Sequence, residues 1–217
     1  MTSDLIYLAI SFLYIGILVL IGLILYRCLH VRAEGVRKFI HILTSLWIFI
    51  VEYRLSSPWA KLIGPFLFTI INGLFSRSRF SYLLGMDDRE RGNGLMYYPL
   101  SIFILVLLEI AGVLSPSSVI AGVLVMGWGD GLAALAGSRF GRNSYLVYGK
   151  YKKSIEGTAV MFAASAVIIV IFTDMEWYYA ASVAFVAALM ENVTPLGLDN
   201  LSVPIIVSLL SEVICSL

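Results

Sequence analysis

Asp130 sits in a run, Val119 to Gly137, whose other members are apolar residues and glycines. A carboxylate at membrane depth costs about 3 kcal/mol on insertion scales, so by default it is functional or paired. Its neighbours sharpen the question. Gly127 and Gly131, in Gly127-Trp128-Gly129-Asp130-Gly131, form a small-xxx-small pair of the kind that brings helices close together. Glycines around a carboxylate also clear space for a ligand or a metal.

Cations recur around this aspartate in the chain. In Arg37-Lys38-Phe39-Ile40-His41, Arg37 and His41 are four apart and share one helical face. Two fixed cations and an imidazole there could hold a phosphate, and His41 could move a proton. Arg37 and Lys38 alone read equally as a membrane-surface anchor. Two later blocks, Ser138-Arg139-Phe140-Gly141-Arg142-Asn143 and Gly149-Lys150-Tyr151-Lys152-Lys153-Ser154, supply five more cations. The second runs into Ile155-Glu156-Gly157-Thr158. Ser154 is placed to cap a helix whose first-turn amides, with Lys153, would bind an anion. Glu156 complements the helix dipole and is also placed to bind a metal or a lysine. The Gly-x4-Gly-Lys-[Ser/Thr] spacing of a Walker A loop is absent.

A third constellation is Glu191-Asn192-Val193-Thr194-Pro195-Leu196-Gly197-Leu198-Asp199-Asn200. Pro195 and Gly197 break a helix and leave Glu191, Asp199 and Asn200 near one membrane surface. These are hard oxygen donors of the kind Mg²⁺ takes alongside phosphates, although a polar turn explains them equally. Loop 76–94 reads as a solvated, mixed-charge loop; its Asp87-Asp88 pair could bind metal, and Gly92-Asn93-Gly94 could close over a nucleotide.

The elements that must position these groups are membrane helices. The 217 residues are 60% hydrophobic and 13% charged, with a mean hydropathy of +0.93. Soluble domains hold only about 45–50% apolar residues. Eight apolar runs can be read: Leu5–Tyr26, Phe39–Val51, Lys61–Phe75, Leu95–Leu114, Val119–Gly137, Ile155–Phe172, Trp177–Met190 and Leu201–Cys215. Several are shorter than the roughly 20 residues of a straight span, and the eighth need not cross fully. The first run is too long for a signal-peptide core, lacks a basic segment before it and has no cleavage site, so it is expected to stay as a helix. Loops 27–38, 76–94, 138–154 and 191–200 hold 13 of the 15 lysines and arginines, which places them in the cytosol.

The expectation is an all-α integral membrane protein, one polytopic domain over 1–217, with about eight transmembrane helices. Both termini are non-cytosolic and the polar site lies at the cytosolic face. Glu52, Arg54 and Glu109 fall at the opposite face and read as structural, as does Asn72, which bonds another helix. Cys28 and Cys215 lie at opposite faces, so they do not pair. Nothing in the chain suits a nucleic-acid partner or a histidine–cysteine metal centre.

Taken in order, Arg37-Lys38-x-x-His41, Gly129-Asp130-Gly131-x-Ala133-Ala134, Gly137-x-x-Phe140-Gly141, Lys153-Ser154-x-Glu156-Gly157-Thr158 and Glu191-x-x-x-Pro195-x-Gly197-x-Asp199-Asn200-x-x-x-Pro204 resemble the polyprenol kinase family. That family groups phytol kinase, dolichol kinase and the CTP-dependent diacylglycerol kinase. The resemblance runs from about residue 37 to residue 204. It implies transfer of the γ-phosphate of a nucleoside triphosphate, typically CTP, to the hydroxyl of a membrane lipid alcohol. Phytol, farnesol, geranylgeraniol and dolichol-like alcohols are the implied acceptors, and Mg²⁺ is the implied cofactor. Carried onto this chain, it sets Arg37, Lys38, Arg139, Lys152, Lys153 and Ser154 on phosphate oxygens. Asp130 with Glu156 or Asp199 would hold the metal, Asp130 or His41 would take the alcohol proton, and Glu191 and Asn200 would line the site. Gly131 and Thr158 depart from the alanine and serine frequent in the family. Two other readings compete. A CDP-diacylglycerol synthase-like cytidylyltransferase shares the Lys-[Ser/Thr]-x-Glu-Gly element, but its Gly-Gly-x-x-Asp-Arg-x-x-Asp-like ending is missing here. A lipid or solute transporter would show internal repeats and midplane charge.

Overall fold

In the computed structural model, which describes residues 2–76, 94–147 and 151–217, the segment carrying Asp130 is the most enclosed of the long helices. Pro116–Phe140 has 72% of its most apolar window buried, against 22% for the N-terminal helix Thr2–Arg27. The bundle is therefore wrapped around the aspartate-bearing element. Segment 77–93, with Asp87, Asp88, Gly92 and Asn93, and residue Lys150 lie outside the described residues.

The N-terminal helix is α1 (Thr2–Arg27), and α2 (Ala33–Ser45), α3 (Ile48–Arg54), α4 (Pro58–Ser76) and α5 (Gly94–Ile110) follow. The central element comprises α6 (Pro116–Leu124), a π-helical turn (Val125–Asp130) and α7 (Gly131–Phe140). A hairpin, β1 (Ser144–Val147) and β2 (Tyr151–Ser154), leads to α8 (Ile155–Thr173), α9 (Trp177–Val193) and α10 (Asp199–Cys215).

Among the described residues, four helices are long and apolar enough to cross a membrane: Thr2–Arg27, Pro58–Ser76, Pro116–Phe140 and Ile155–Thr173. The exposed face of α1 carries Leu5, Ile6, Leu13 and Leu20, each more than half exposed. A helix apolar on all sides with so little buried needs hydrocarbon around it. The fold is that of an all-α membrane protein.

Central-helix packing starts at its cap. Ser115 caps α6 from Pro116 onward and accepts from the Ser118 amide. Glu212 of α10 accepts from both the amide (2.7 Å) and the hydroxyl (2.6 Å) of Ser115, pinning the start of the central element to the last helix. Ile102 and Leu105 of α5, Val123 of α6, Ile169 of α8 and Val203 of α10 close the core around it.

Three features differ from the expectation. The run Phe39–Val51 is two helices, because the Leu46 and Trp47 amides tighten onto Leu43 and Thr44 (3.1 and 3.0 Å). Trp47 is fully buried, against Gly64 and edge-on to Phe68, and seating that indole turns the chain. Since α2 starts at Ala33, Arg37 and His41 do lie on one helix, as their spacing implies. The cationic loop before α8 is an antiparallel hairpin with Tyr145 opposite Lys153 and Leu146 opposite Lys152. Lastly, the helix widens into a π-turn that ends on Asp130, a deviation often found at functional sites.

Asn72 does bond another helix. Its Nδ2 donates to the Leu95 carbonyl (3.1 Å), the acceptor that Pro99, lacking an N–H, cannot satisfy within α5. Asn72→Leu orphans that carbonyl and is expected to cost about 1 kcal/mol. Thermal unfolding in detergent would show it, and Asn72→Leu/Pro99→Ala, which restores the N–H, should recover the loss. Glu52 and Glu109, read as structural, both bond Lys61 (2.7 and 2.8 Å) and tie α3, α4 and α5 together. Both cysteines are free.

Candidate active site

The glycines set the geometry first. A Cβ on Gly127 would strike Ser45, and one on Gly131 would strike Ile42, both residues of α2. A Cβ on Gly129 would meet Met161 Sδ at 2.8 Å, on α8. The space that the glycines clear is therefore filled by neighbouring helices, not by a ligand. Its effect is to draw α2 onto the π-turn, and that brings α2's polar residues to Asp130.

Lys38 is 8% exposed and its Nζ donates to Asp130 Oδ2, a buried pair across 92 residues of sequence. His41, one turn on, places Nε2 at 4.0 Å from the same oxygen. The imidazole packs against the Tyr98 ring (4.2 Å between centroids), while its Nε2 is buried without a hydrogen-bond partner among the described residues. Arg37 pairs with Glu34 at 2.7 Å on the outer side of α2.

The break after α9 supplies the rest. Leu196 (φ 61°) and Gly197 (φ 77°) both take left-handed backbone, and this turn returns the chain at once into α10. Glu191 at the end of α9 and Asp199 at the start of α10 are thereby brought to Asp130. One carboxylate oxygen from each of the three lies within 4.8 Å of the others. Lys153 of β2 donates to Glu191 Oε1 at 2.6 Å and also to the Glu191 carbonyl. Asn200 turns inward on its own turn, with its amide on Asp199 Oδ1 (3.0 Å) and its side chain on the Gly197 carbonyl (3.2 Å).

Three carboxylates thus face two lysines at a buried point, an arrangement one positive charge short of neutral. Buried charges must be paired to be tolerated. Three hard oxygens suit Mg²⁺, which also takes phosphate oxygens and water. Among the described residues, Asp130, Glu191 and Asp199 form a group that can hold such an ion.

Other anticipated residues go elsewhere. Glu156 is not part of this cluster: its Oε1 accepts from the Arg142 and Asn143 amides (3.1 and 3.2 Å). Ser154 caps α8 as expected, accepting from the Gly157 amide at 3.0 Å. With the Ile155 amide bonded to the Asn143 carbonyl (2.9 Å), two of the first-turn donors expected to bind an anion are already used. Lys152 is exposed on the hairpin face opposite Lys153, and Arg139 is exposed over the Phe140 ring (5.6 Å). Glu191, which the resemblance sets as lining the site but which its place beside Asp199 also offers as an oxygen donor, belongs among the carboxylates. The signal for it was the Pro195–Gly197 break, which returns the chain to its own helix end.

Buried lysine–carboxylate pairs inside an apolar helical bundle mark a membrane protein with a buried charged cluster. A curated protein named phytol kinase, from Synechocystis sp. (strain ATCC 27184 / PCC 6803 / Kazusa), is 35% identical over 205 residues, covering 88% of this chain and 84% of that one. The chain belongs to the polyprenol kinase family, and it is a kinase with an alcohol group as acceptor. No family model matches it, and no solved structure does.

Proposed function

We propose that this chain transfers the γ-phosphate of CTP to the hydroxyl of a membrane isoprenoid alcohol, with Mg²⁺ held by Asp130, Glu191 and Asp199. The observation that carries the proposal is the meeting of these three carboxylates with Lys38 and Lys153, from separate segments, at one buried point. The relative's name supports an isoprenoid acceptor, phytol among the candidates. The family resemblance carried by the motifs from Arg37 to Pro204 implies CTP as donor.

Phosphoryl transfer asks a protein for positioning and charge neutralisation more than for covalent chemistry. Lys38 and Lys153 satisfy the carboxylates until a nucleotide arrives, then turn to its phosphate oxygens. Arg37, at the rim, adds a further cation. Mg²⁺ held by Asp130, Glu191 and Asp199 would supply neutralisation of phosphate charge. The alcohol oxygen forms its bond to the γ-phosphorus as the bond to the β–γ bridging oxygen breaks, and CDP leaves. His41 Nε2 takes the hydroxyl proton, because it is buried, has no hydrogen-bond partner among the described residues and is packed against Tyr98. Asp130, whose Oδ2 is bonded by Lys38, serves the cation.

The chain is read as a single membrane domain of eight spans: α1, α2 with α3, α4, α5, the central element, α8, α9 and α10. That arrangement puts both termini outside and the site at the cytosolic face, on the side of 13 of the 15 lysines and arginines.

The test supplies membranes with Mg²⁺, a panel of lipid alcohols and CTP labelled at the γ- or the α-phosphate, with ATP in parallel. Label from the γ-position in an isoprenoid monophosphate is the expected result. Label from the α-position in a CDP-lipid, with phosphatidate supplied, would replace the kinase reading with a cytidylyltransferase. Neither product would favour a transporter.

A further inference from the structure

Lys153 reaches Glu191 from a hairpin whose β1 residues Ser144 and Leu146 are exposed, so something must hold that hairpin down. Tyr145 is the inward-facing residue between them. It stands directly opposite Lys153 in the register, so both side chains leave the same face of the hairpin. Its Oη donates to Asn192 Oδ1 at 2.6 Å and lies 2.6 Å from Thr158 Oγ1. Asn192 Nδ2 in turn donates to Thr158 Oγ1 (3.3 Å) and to the Ala188 carbonyl (2.8 Å). One phenol therefore joins the hairpin to α8 through Thr158 and to α9 through Asn192, the residue next to Glu191.

We infer that Tyr145, with Thr158 and Asn192, is a positioning set that seats the hairpin so that Lys153 meets Glu191 and is held ready for a nucleotide phosphate. The inference rests on the reading of Lys153 as a phosphate-binding residue. The set touches no reacting atom. Its effect falls on the nucleotide and not on the lipid, because the strand it seats brings the cations Lys152 and Lys153.

The test uses the full chain in nanodiscs and measures Mg²⁺–CTP binding by equilibrium dialysis, steady-state kinetics and amide exchange. Tyr145→Phe is expected to weaken CTP binding and raise the nucleotide KM about tenfold, the factor that a lost hydrogen bond accounts for. The lipid KM and kcat should stay within about twofold. Exchange should rise in residues 144–147 and 151–154 alone. Thr158→Val should behave like Tyr145→Phe, Thr158→Ser, which keeps the oxygen, should behave like wild type, and Tyr145→Phe/Thr158→Val should be no worse than either single change. Unchanged hairpin exchange, unchanged CTP affinity, or an equal shift in both KM values would overturn the inference. So would a wild-type chain that does not bind CTP. A chain that binds CTP but transfers no γ-phosphate would overturn the kinase reading alone, and dialysis and exchange would still decide the role of Tyr145.

Discussion

Asp130→Asn is expected to lower kcat/KM by about 10²- to 10³-fold, the loss that follows removal of a preorganised group from a charged transition-state cradle. The change keeps the shape of the side chain and removes its charge. It therefore takes away one of three carboxylates and the partner of Lys38 together. The second loss has a stability cost of its own. An ammonium left buried without its counterion destabilises by about 3–5 kcal/mol, so inactivity alone could reflect unfolding. Lys38→Met/Asp130→Leu separates the two effects, since it removes both charges and leaves apolar residues in an apolar setting. That double variant is expected to recover most of the thermal stability that Asp130→Asn loses and none of the activity. Asp130→Asn turning over within a fewfold of wild type would remove Asp130 from the reaction.

The helical, membrane-spanning character of the chain was legible because apolar runs of helix length leave few alternatives for a backbone in hydrocarbon. The role of Gly127 and Gly131 in close packing was legible too, since a missing Cβ has that consequence wherever two helices meet. Which helix they would meet was not. Lys38 and Asp130 could each be singled out, but 92 residues separate them, and only the packing of Ser45 and Ile42 onto the glycines makes them a pair. The break at Leu46–Trp47 left no mark in the hydropathy, because Trp47 and its neighbours are apolar whether the helix continues or turns. The π-turn was equally silent, since it changes only which amide meets which carbonyl. Glu156 was misplaced for a related reason. Its place in the first turn of a helix offers it a metal or a lysine, yet the loop before the hairpin presents the Arg142 and Asn143 amides, and the carboxylate turns to them.

That relocation gives the second large effect, a contrast between two glutamates. Glu191→Gln is expected to raise the Mg²⁺ concentration for half-maximal activity about 10- to 100-fold, the range for weakening a metal site by one supporting group. Glutamine still offers an oxygen to Lys153, so the hairpin keeps its contact and the loss isolates the charge on the metal side. Asp199→Asn should act in the same direction, since Asp199 shares the cluster. Glu156→Gln should shift the Mg²⁺ requirement by less than about threefold and cost about 1 kcal/mol of stability, because its carboxylate serves two backbone amides. Mn²⁺ binding followed by electron paramagnetic resonance on the purified protein gives the same comparison without turnover. Weakened Mn²⁺ binding in Glu156→Gln, with Glu191→Gln unaffected, would move the cation to the start of α8. The opposite pattern ties the cation to the chain break at Pro195 and Gly197, where one turn joins two helix ends and closes the carboxylate cluster on Asp130.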